Sequence, residues 1–161
     1  MPLVRLTYPR GAVSPSQKRQ LAAALTDIVL DAEVDAVTDA GKSVTLIHFN
    51  EVGDDDWAVA GELRSAAESR PNHFIVDVVV LEGLLCGERR RAVHRRVTEA
   101  FRQALGDDPM LPLRVWVLVH EVREGSWGAA GTTVGALDVA QFINPALDAA
   151  RRAEITLSVA G

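Results

Sequence analysis

Residues 51–62 read EVGDDDWAVAGE, and residues 121–132 read EVREGSWGAAGT. Glu51 and Glu121, Trp57 and Trp127, and Gly61 and Gly131 each lie 70 residues apart, so order and spacing recur together with residue type. An apolar run precedes each copy, SVTLIHFN at 43–50 and LRVWVLVH at 113–120. Further upstream PLVRLTY at 2–8 pairs with HFIVDVVVL at 73–81, and each leads to a glycine, Gly11 or Gly83. Recurrence at a fixed offset marks a duplicated supersecondary unit.

Each unit reads strand, helix, strand. SPSQKRQLAAALTDIVLDA (14–32) opens with Ser14 as N-cap, Pro15 at the first helical position and Gln17 where a capping box requires it. Leu21, Leu25, Ile28, Val29 and Ala32 then form an apolar stripe at helical spacing. Val93, Val97, Ala100, Phe101, Ala104 and Leu105 repeat that stripe, and GDDP at 106–109 closes the second helix. The strands are β-branched and almost continuously apolar, as strands covered on both faces are. Two βαβ units with right-handed crossovers, set side by side, predict an α+β fold with a four-stranded, mainly parallel sheet and both helices on one face. The expected organisation is one domain over 1–161, with repeats at about 2–68 and 73–135 and a tail at 136–161. The tail is expected to hold a short helix and a strand from Glu154 to Val159. Leu3, Val4 and Leu6 are all apolar although they alternate between faces, so the second face also needs cover. Another copy of the chain is the expected cover, which makes the protein an oligomer.

Composition narrows the function. The 161 residues carry a formal charge of −5, which favours neither nucleic acid nor an anionic membrane as partner. Cys86 is the sole cysteine, so no internal disulfide or multi-cysteine metal site forms, in keeping with a cytoplasmic location. No apolar run reaches the ~20 residues that span a bilayer. The arginines of GERRRAVHRRVTEAFRQ (87–103), including Arg89, Arg90 and Arg96, fall off the apolar stripe and read as a solvated helix face. GDDDW (53–57) is one acidic loop without a second ligand cluster, so no metal is expected there. GAAGTTVG (128–135) follows a hairpin instead of opening a helix, so it is no phosphate loop. Cys86 reads as a loop or buried thiol, and His48, inside an apolar run, as a hydrogen-bonded core histidine.

Pro2 is the residue with chemistry in it. Initiator Met is removed when the next residue is small, which would leave a free prolyl amine at the amino terminus. An unperturbed α-amine has a pKa of about 7.7–8.0, and an apolar pocket or a nearby cation lowers it. Such an amine exchanges protons with carbon or with an enol hydroxyl near neutral pH. The pyrrolidine ring holds the nitrogen in place for that transfer.

A proline after the initiator Met, a βαβ unit and a Gly/aromatic hairpin after its second strand together resemble the tautomerase superfamily. VVVLEGLL (78–85), the helix after it and LRVWVLVHEVREGSWGAAG (113–131) are similar to the 4-oxalocrotonate tautomerase pattern. FNEV (Phe49 to Val52) resembles the fused, two-repeat branch that contains the cis-3-chloroacrylic acid dehalogenases. The resemblance covers roughly residues 2–131. It implies that Pro2 is the catalytic acid or base, that no cofactor is needed and that the chain forms a homotrimer. Phe74 holds the equivalent place in the second repeat, where an internal residue has no free amine.

The chain departs from that pattern at its cations. Ala12 and Leu84 stand where the family has an arginine after the glycine, and Leu46 and Trp116 where it has a second one. The dehalogenase branch has two arginines where this chain has Leu81 and Leu84, a helix histidine at Val29 and a tyrosine at Leu118. Arg10, beside Gly11, and Arg114, on the strand face of Trp116, are the expected substitutes for binding a substrate carboxylate, ahead of Arg5 and Arg123. Trp57 and Trp127 match the aromatic that walls the family's site; packing between protomers is the equal alternative. Asn50 and His120 end their strands at equivalent positions. The resemblance implies a tautomerase acting on small enol or 2-keto acids. Decarboxylation of a 3-oxo acid, hydration or dehalogenation on the same scaffold, and a non-catalytic trimeric scaffold are the alternatives.

Overall fold

The first helix begins as its capping sequence predicts. In the computed structural model, which describes residues 2–66 and 71–159, Ser14 Oγ accepts from the Gln17 N–H (3.3 Å), and Gln17 Oε1 accepts from the Ser14 N–H (2.8 Å). The first repeat comprises β1 (Leu3–Pro9), α1 (Pro15–Val34), a short α2 (Asp39–Ser43), β2 (Leu46–Val52) and the hairpin strands β3 (Ala58–Val59) and β4 (Glu62–Leu63). The second comprises β5 (Phe74–Leu81), α3 (Gly87–Leu105), α4 (Leu111–Arg114), β6 (Val115–Val122), β7 (Gly128–Ala129) and β8 (Thr132–Thr133). Two helices follow, α5 (Ala136–Ile143) and α6 (Ala149–Val159). The expected end of the first repeat, near 68, lies outside the described residues.

Strand order in the sheet is β2-β1-β5-β6. Each repeat contributes a parallel pair, β1 with β2 and β5 with β6, and the repeats join through antiparallel β1–β5 pairing. The register sets Leu3 opposite Val79, Arg5 opposite Asp77 and Thr7 opposite Ile75. Arg5 holds in β1 the place that Asp77 holds in β5, so the approximate two-fold between repeats runs through this pair. Two identical repeats would put like charges there; the fused chain puts opposite ones, which favours the pairing.

Helices α1 and α3 cover one face. Val4, Leu6 and Tyr8 of β1 and Val76 and Val78 of β5 point into the core beneath them, against Leu21, Leu25, Val93 and Val97. The arginines of α3 do more than solvate a face. Arg89 donates bidentately to the Asp35 carboxylate (2.7 and 2.9 Å) and to the Ala32 carbonyl (3.0 Å), and Arg96 reaches Asp31 (2.5 Å). Both bonds tie α3 to α1. Their guanidinium groups lie in the groove between the helices, a placement that periodicity within one helix does not reveal.

The opposite face is mixed, less apolar than the run of hydrophobic residues suggests. It presents Leu46 (65% exposed), Trp116 (60%) and Leu118 together with Arg5, His48 and Asp77. His48 is therefore an exposed residue of this face and not a core histidine, because the parity of β2 turns it away from α1. His120 Nε2 lies 2.7 Å from Asp77 Oδ1 on the same face.

The recurring Ala-Gly pairs are hairpin turns. Ala60 and Gly61 have φ of 56° and 81°, and Ala130 and Gly131 have 51° and 78°. Positive φ at both central residues is the requirement of the two-residue type I′ turn, whose twist matches that of the flanking strands.

The tail departs most from expectation. Residues 154–159 continue the helix α6 and form no strand. ITLSV is rich in strand formers, but Arg151 and Ile155, one helical turn apart, are both buried, and that tertiary anchoring overrides propensity. Helices α5 and α6 build a second core with Leu30 and Val34 of α1 and with Leu81 and Leu84 at the end of β5. Gly83 lets the chain pass close to α6: its φ is 84°, and a Cβ there would lie 2.9 Å from Val159 Cγ1. Arg151, 3% exposed, donates from Nη2 to the carbonyls of Glu33 (2.8 Å) and Leu84 (2.6 Å). Arg151→Met strands both buried carbonyls and is expected to lower unfolding free energy by about 3 kcal/mol in urea titration. Leu157→Ala, at an exposed position of the same helix, is expected to change it by less than about 0.5 kcal/mol.

Candidate active site

Pro2 is buried at the head of β1, and its carbonyl accepts the Leu46 N–H at 3.1 Å, which fixes it beside the start of β2. Carrying the β1–β5 register one step past Leu3 puts Val80 opposite Pro2. The end of β5 and the loop through Gly83 and Leu84 thus lie at the proline end of the sheet. A helix in a βαβ unit runs antiparallel to its strands, so the carboxyl end of α1, with Glu33 and Val34, reaches the same end.

Glu33 and Arg151 are the two buried charged side chains among the described residues. Burial raises the Glu33 carboxyl to about 7, against the pull of the amino-terminal charge and of the Arg151 guanidinium. Arg151 bridges this group to α6: Nη1 donates to Glu154 Oε2 at 2.6 Å, while Nη2 holds the Glu33 and Leu84 carbonyls. Glu154 Oε1 accepts from Cys86 Sγ at 3.0 Å, and this bond, with Arg151 and Arg89 nearby, holds the Glu154 carboxyl below the usual range. Cys86 thereby serves as a donor at the start of α3.

The two hairpins lie over opposite ends of the sheet. Trp127 packs against the second core, with Leu81 and Leu84, and so belongs to the proline end. Beside it a cavity of about 340 Å³ opens between Val44, the β7–β8 turn and Val139 and Phe142 of α5. Trp57 lines a cavity of about 410 Å³ with His73, Phe74, Ile75 and Trp116, which is the equivalent place at the Phe74 end.

The predicted site residues therefore fall into two groups within one protomer. Pro2 and Trp127 share one end; Trp57, Arg10 and Arg114 share the other. Arg10 follows β1, roughly 25 Å from Pro2 at about 3.3 Å per residue. Its side chain is exposed and its N–H donates to the Val52 carbonyl at 2.8 Å. Arg114 donates from Nη1 to the Asn72 carbonyl (3.1 Å) and pairs with Asp108, holding the loops beside Phe74. Sequence reading missed Glu33 and Arg151. A signal for Glu33 existed, since it lies one turn beyond Val29 on the inward side of α1. Arg151 had none before α6 was known.

Comparison with known proteins agrees with this architecture. A family model described as "Tautomerase enzyme" matches twice, over residues 2–67 and 68–137. Among solved structures, a fused 4-OT, wild type symmetric trimer is 22% identical with a TM-score of 0.64, covering 85% of this chain and 98% of that one. N1, a member of the cis-3-chloroacrylic acid dehalogenase (cis-CaaD) family, is 15% identical with a TM-score of 0.67, covering 96% and 98%. Pt0534 inactivated by 2-oxo-3-pentynoate is 18% identical with a TM-score of 0.64, covering 81% and 95%. No curated protein sequence matches the chain. With the family pattern present in both halves and the fold shared over most of its length, this chain belongs to the tautomerase superfamily as a fused, two-repeat member.

Proposed function

We propose that the protein is a cofactor-independent tautomerase that uses the amine of Pro2 to move a proton within a small enol or 2-keto acid. The observation that supports this reading is the position of Pro2, buried at the head of β1 in a tautomerase-superfamily chain, at the end of the sheet that also holds Trp127. In the step itself a C–H bond forms with a proton from the amine, the enol O–H breaks as the carbonyl forms, and the released proton returns to the amine. The barrier falls because donor and acceptor are held in place in a water-poor site. Phe74 cannot do this at the other end, since its nitrogen is an amide.

Three copies assemble in this reading. The fused 4-OT relative is described as a trimer, and exposed Leu46, Trp116 and Leu118 give the sheet a face suited to burial. Assembly gives Arg10, Arg114 and Trp57 their role: a neighbouring protomer brings them to the Pro2 of the next one, where arginine binds the substrate carboxylate. The alternative on the same scaffold is decarboxylation, in which a protonated Pro2 would polarise the carbonyl of a 3-oxo acid and release carbon dioxide; product analysis separates it from tautomerisation.

Ketonisation of 2-hydroxymuconate and enol-phenylpyruvate is expected from the protein with an untagged amino terminus. Pro2→Ala is expected to lower kcat/KM by at least about 100-fold. Equal background rates in both proteins would leave a non-catalytic scaffold. Sedimentation is expected to give three times the 17.4 kDa chain mass, and Leu118→Asp to reduce that mass; a monomer at micromolar concentration would contradict the assembly.

A further inference from the structure

Beyond the start of β1 the fold leaves room for a ligand. Strands β1 and β2 run parallel with Leu3 beside Leu46, so one step back sets Thr45 beside Pro2, and a further step sets Val44 past the nitrogen end of β1. The Leu46 N–H, donating to the Pro2 carbonyl at 3.1 Å, holds the two segments together there. Pro2 shares the parity of Val4 and Leu6 and so turns to the helix-covered side, where α5 packs against Leu30 and Val34. Val44 is one wall of the cavity of about 340 Å³ at this end. The other walls are the β7–β8 turn, Val134, and Val139 and Phe142 of α5.

The chemistry of those walls is one-sided. Thr132 spends its hydroxyl proton on the Ala129 carbonyl (3.2 Å). The one charged side chain on the lining is an acid, Asp138, and among the described residues no lysine, arginine or histidine lines the cavity. The Ala136 N–H, which at the amino end of α5 would attract an anion, is already taken by the Glu124 carboxylate (3.0 Å to Oε2). The volume is in the range of small-molecule sites, and about 150 Å³ is enough for benzene. A carboxylate placed here would give up water, find no cation and lie beside a like charge. An apolar group would forfeit no hydrogen bond.

We propose that this cavity receives the end of the substrate remote from the reacting carbon, and that the protein therefore acts on enol or 2-keto monoacids bearing an aryl or branched alkyl group in preference to dicarboxylates. This rests on the reading of Pro2 as the reacting amine and names the substrate class for that site. Val139 and Phe142 set the preference by contact, and Asp138 sets it by repulsion. All three stand on α5, beyond residue 137 where the second family match ends. The selectivity thus comes from a helix of the tail and not from the duplicated scaffold. The cavity of about 410 Å³ at the other end includes Phe74, whose nitrogen is an amide, so a ligand held there meets no amine.

The test compares enol-phenylpyruvate with 2-hydroxymuconate, each kcat/KM divided by the uncatalysed ketonisation rate so that intrinsic reactivity cancels. The wild type is expected to prefer the aryl acid by at least about tenfold, the low end of what an apolar pocket discriminates. Phe142→Ala is expected to cut that preference about tenfold, chiefly through KM for the aryl acid. Asp138→Lys is expected to cut it by raising kcat/KM for the dicarboxylate. Both positions are exposed, so neither change threatens the fold. A wild-type preference below tenfold, or one that neither variant moves, overturns the proposal. Pro2→Ala separates this from the reading beneath it. Rates that survive in that variant sink the tautomerase reading, while calorimetric binding of benzoylformate, which cannot enolise, against muconate still reports on the cavity. Benzoylformate is expected to bind more tightly than muconate and to weaken in Phe142→Ala; tighter binding of muconate overturns the proposal.

Discussion

Strand β1 meets strand β5 antiparallel, with Arg5 opposite Asp77, and the placement of everything else follows from that pairing. It turns two βαβ units into one sheet and sends their strand starts to opposite ends. Pro2 faces the end of β5, while Phe74 faces the end of β1. Each hairpin then lies over the start of the other repeat, Trp127 at the proline end and Trp57 at the phenylalanine end. The repeats are alike in backbone and unlike in what surrounds their strand starts. Both ends keep an open cavity, but at the proline end one wall is α5, part of a tail that has no counterpart after the first repeat.

That tail gives the asymmetry a chemical content. Helices α5 and α6 bury Leu81, Leu84 and the carboxyl end of α1, and with them Glu33 and Arg151. Water is excluded from the region, so charges there act on one another more strongly than on a surface. Leu81 and Leu84, at the end of β5 and in the loop after it, fit the same picture. An apolar pair at these positions packs under the tail, and the guanidinium at this end comes from Arg151, which contacts the carbonyl of Leu84. The cation at this end thus belongs to a different element of the chain.

Much of the fold was legible in the sequence because it rests on local or repeating patterns. Ser14 and Gln17 announced their helix, the stripes beginning at Leu21 and Val93 announced the core, and the 70-residue offset announced the duplication. What stayed illegible depends on distant partners. Residues 154–159 have the composition of a strand, and only the anchoring of Arg151 and Ile155 makes them helical. His48 reads as core until its parity on β2 is known, and Arg89 and Arg96 read as solvated until α1 lies beside them. Of the candidate residues, Pro2 and Trp127 are singled out by position and by the repeat, and the structure sets them at one end of the sheet. The sequence does not show that Arg10 and Arg114 lie at the other end of the protomer, because that follows from the antiparallel join of β1 and β5. Glu33 and Arg151 escaped because their meaning arises where two remote segments meet.

The proposed function stands on Pro2 supplying a reactive amine. Treatment with an acetylenic 2-oxo acid, the chemistry of the 2-oxo-3-pentynoate that inactivates the related Pt0534, followed by intact mass and peptide mapping, tests it most directly. The account predicts one adduct per protomer, carried on the nitrogen of an amino-terminal Pro2, with activity lost in proportion to labelling. Adducts on Cys86 or lysine with Pro2 unmodified, or a chain that still carries Met1, would contradict it.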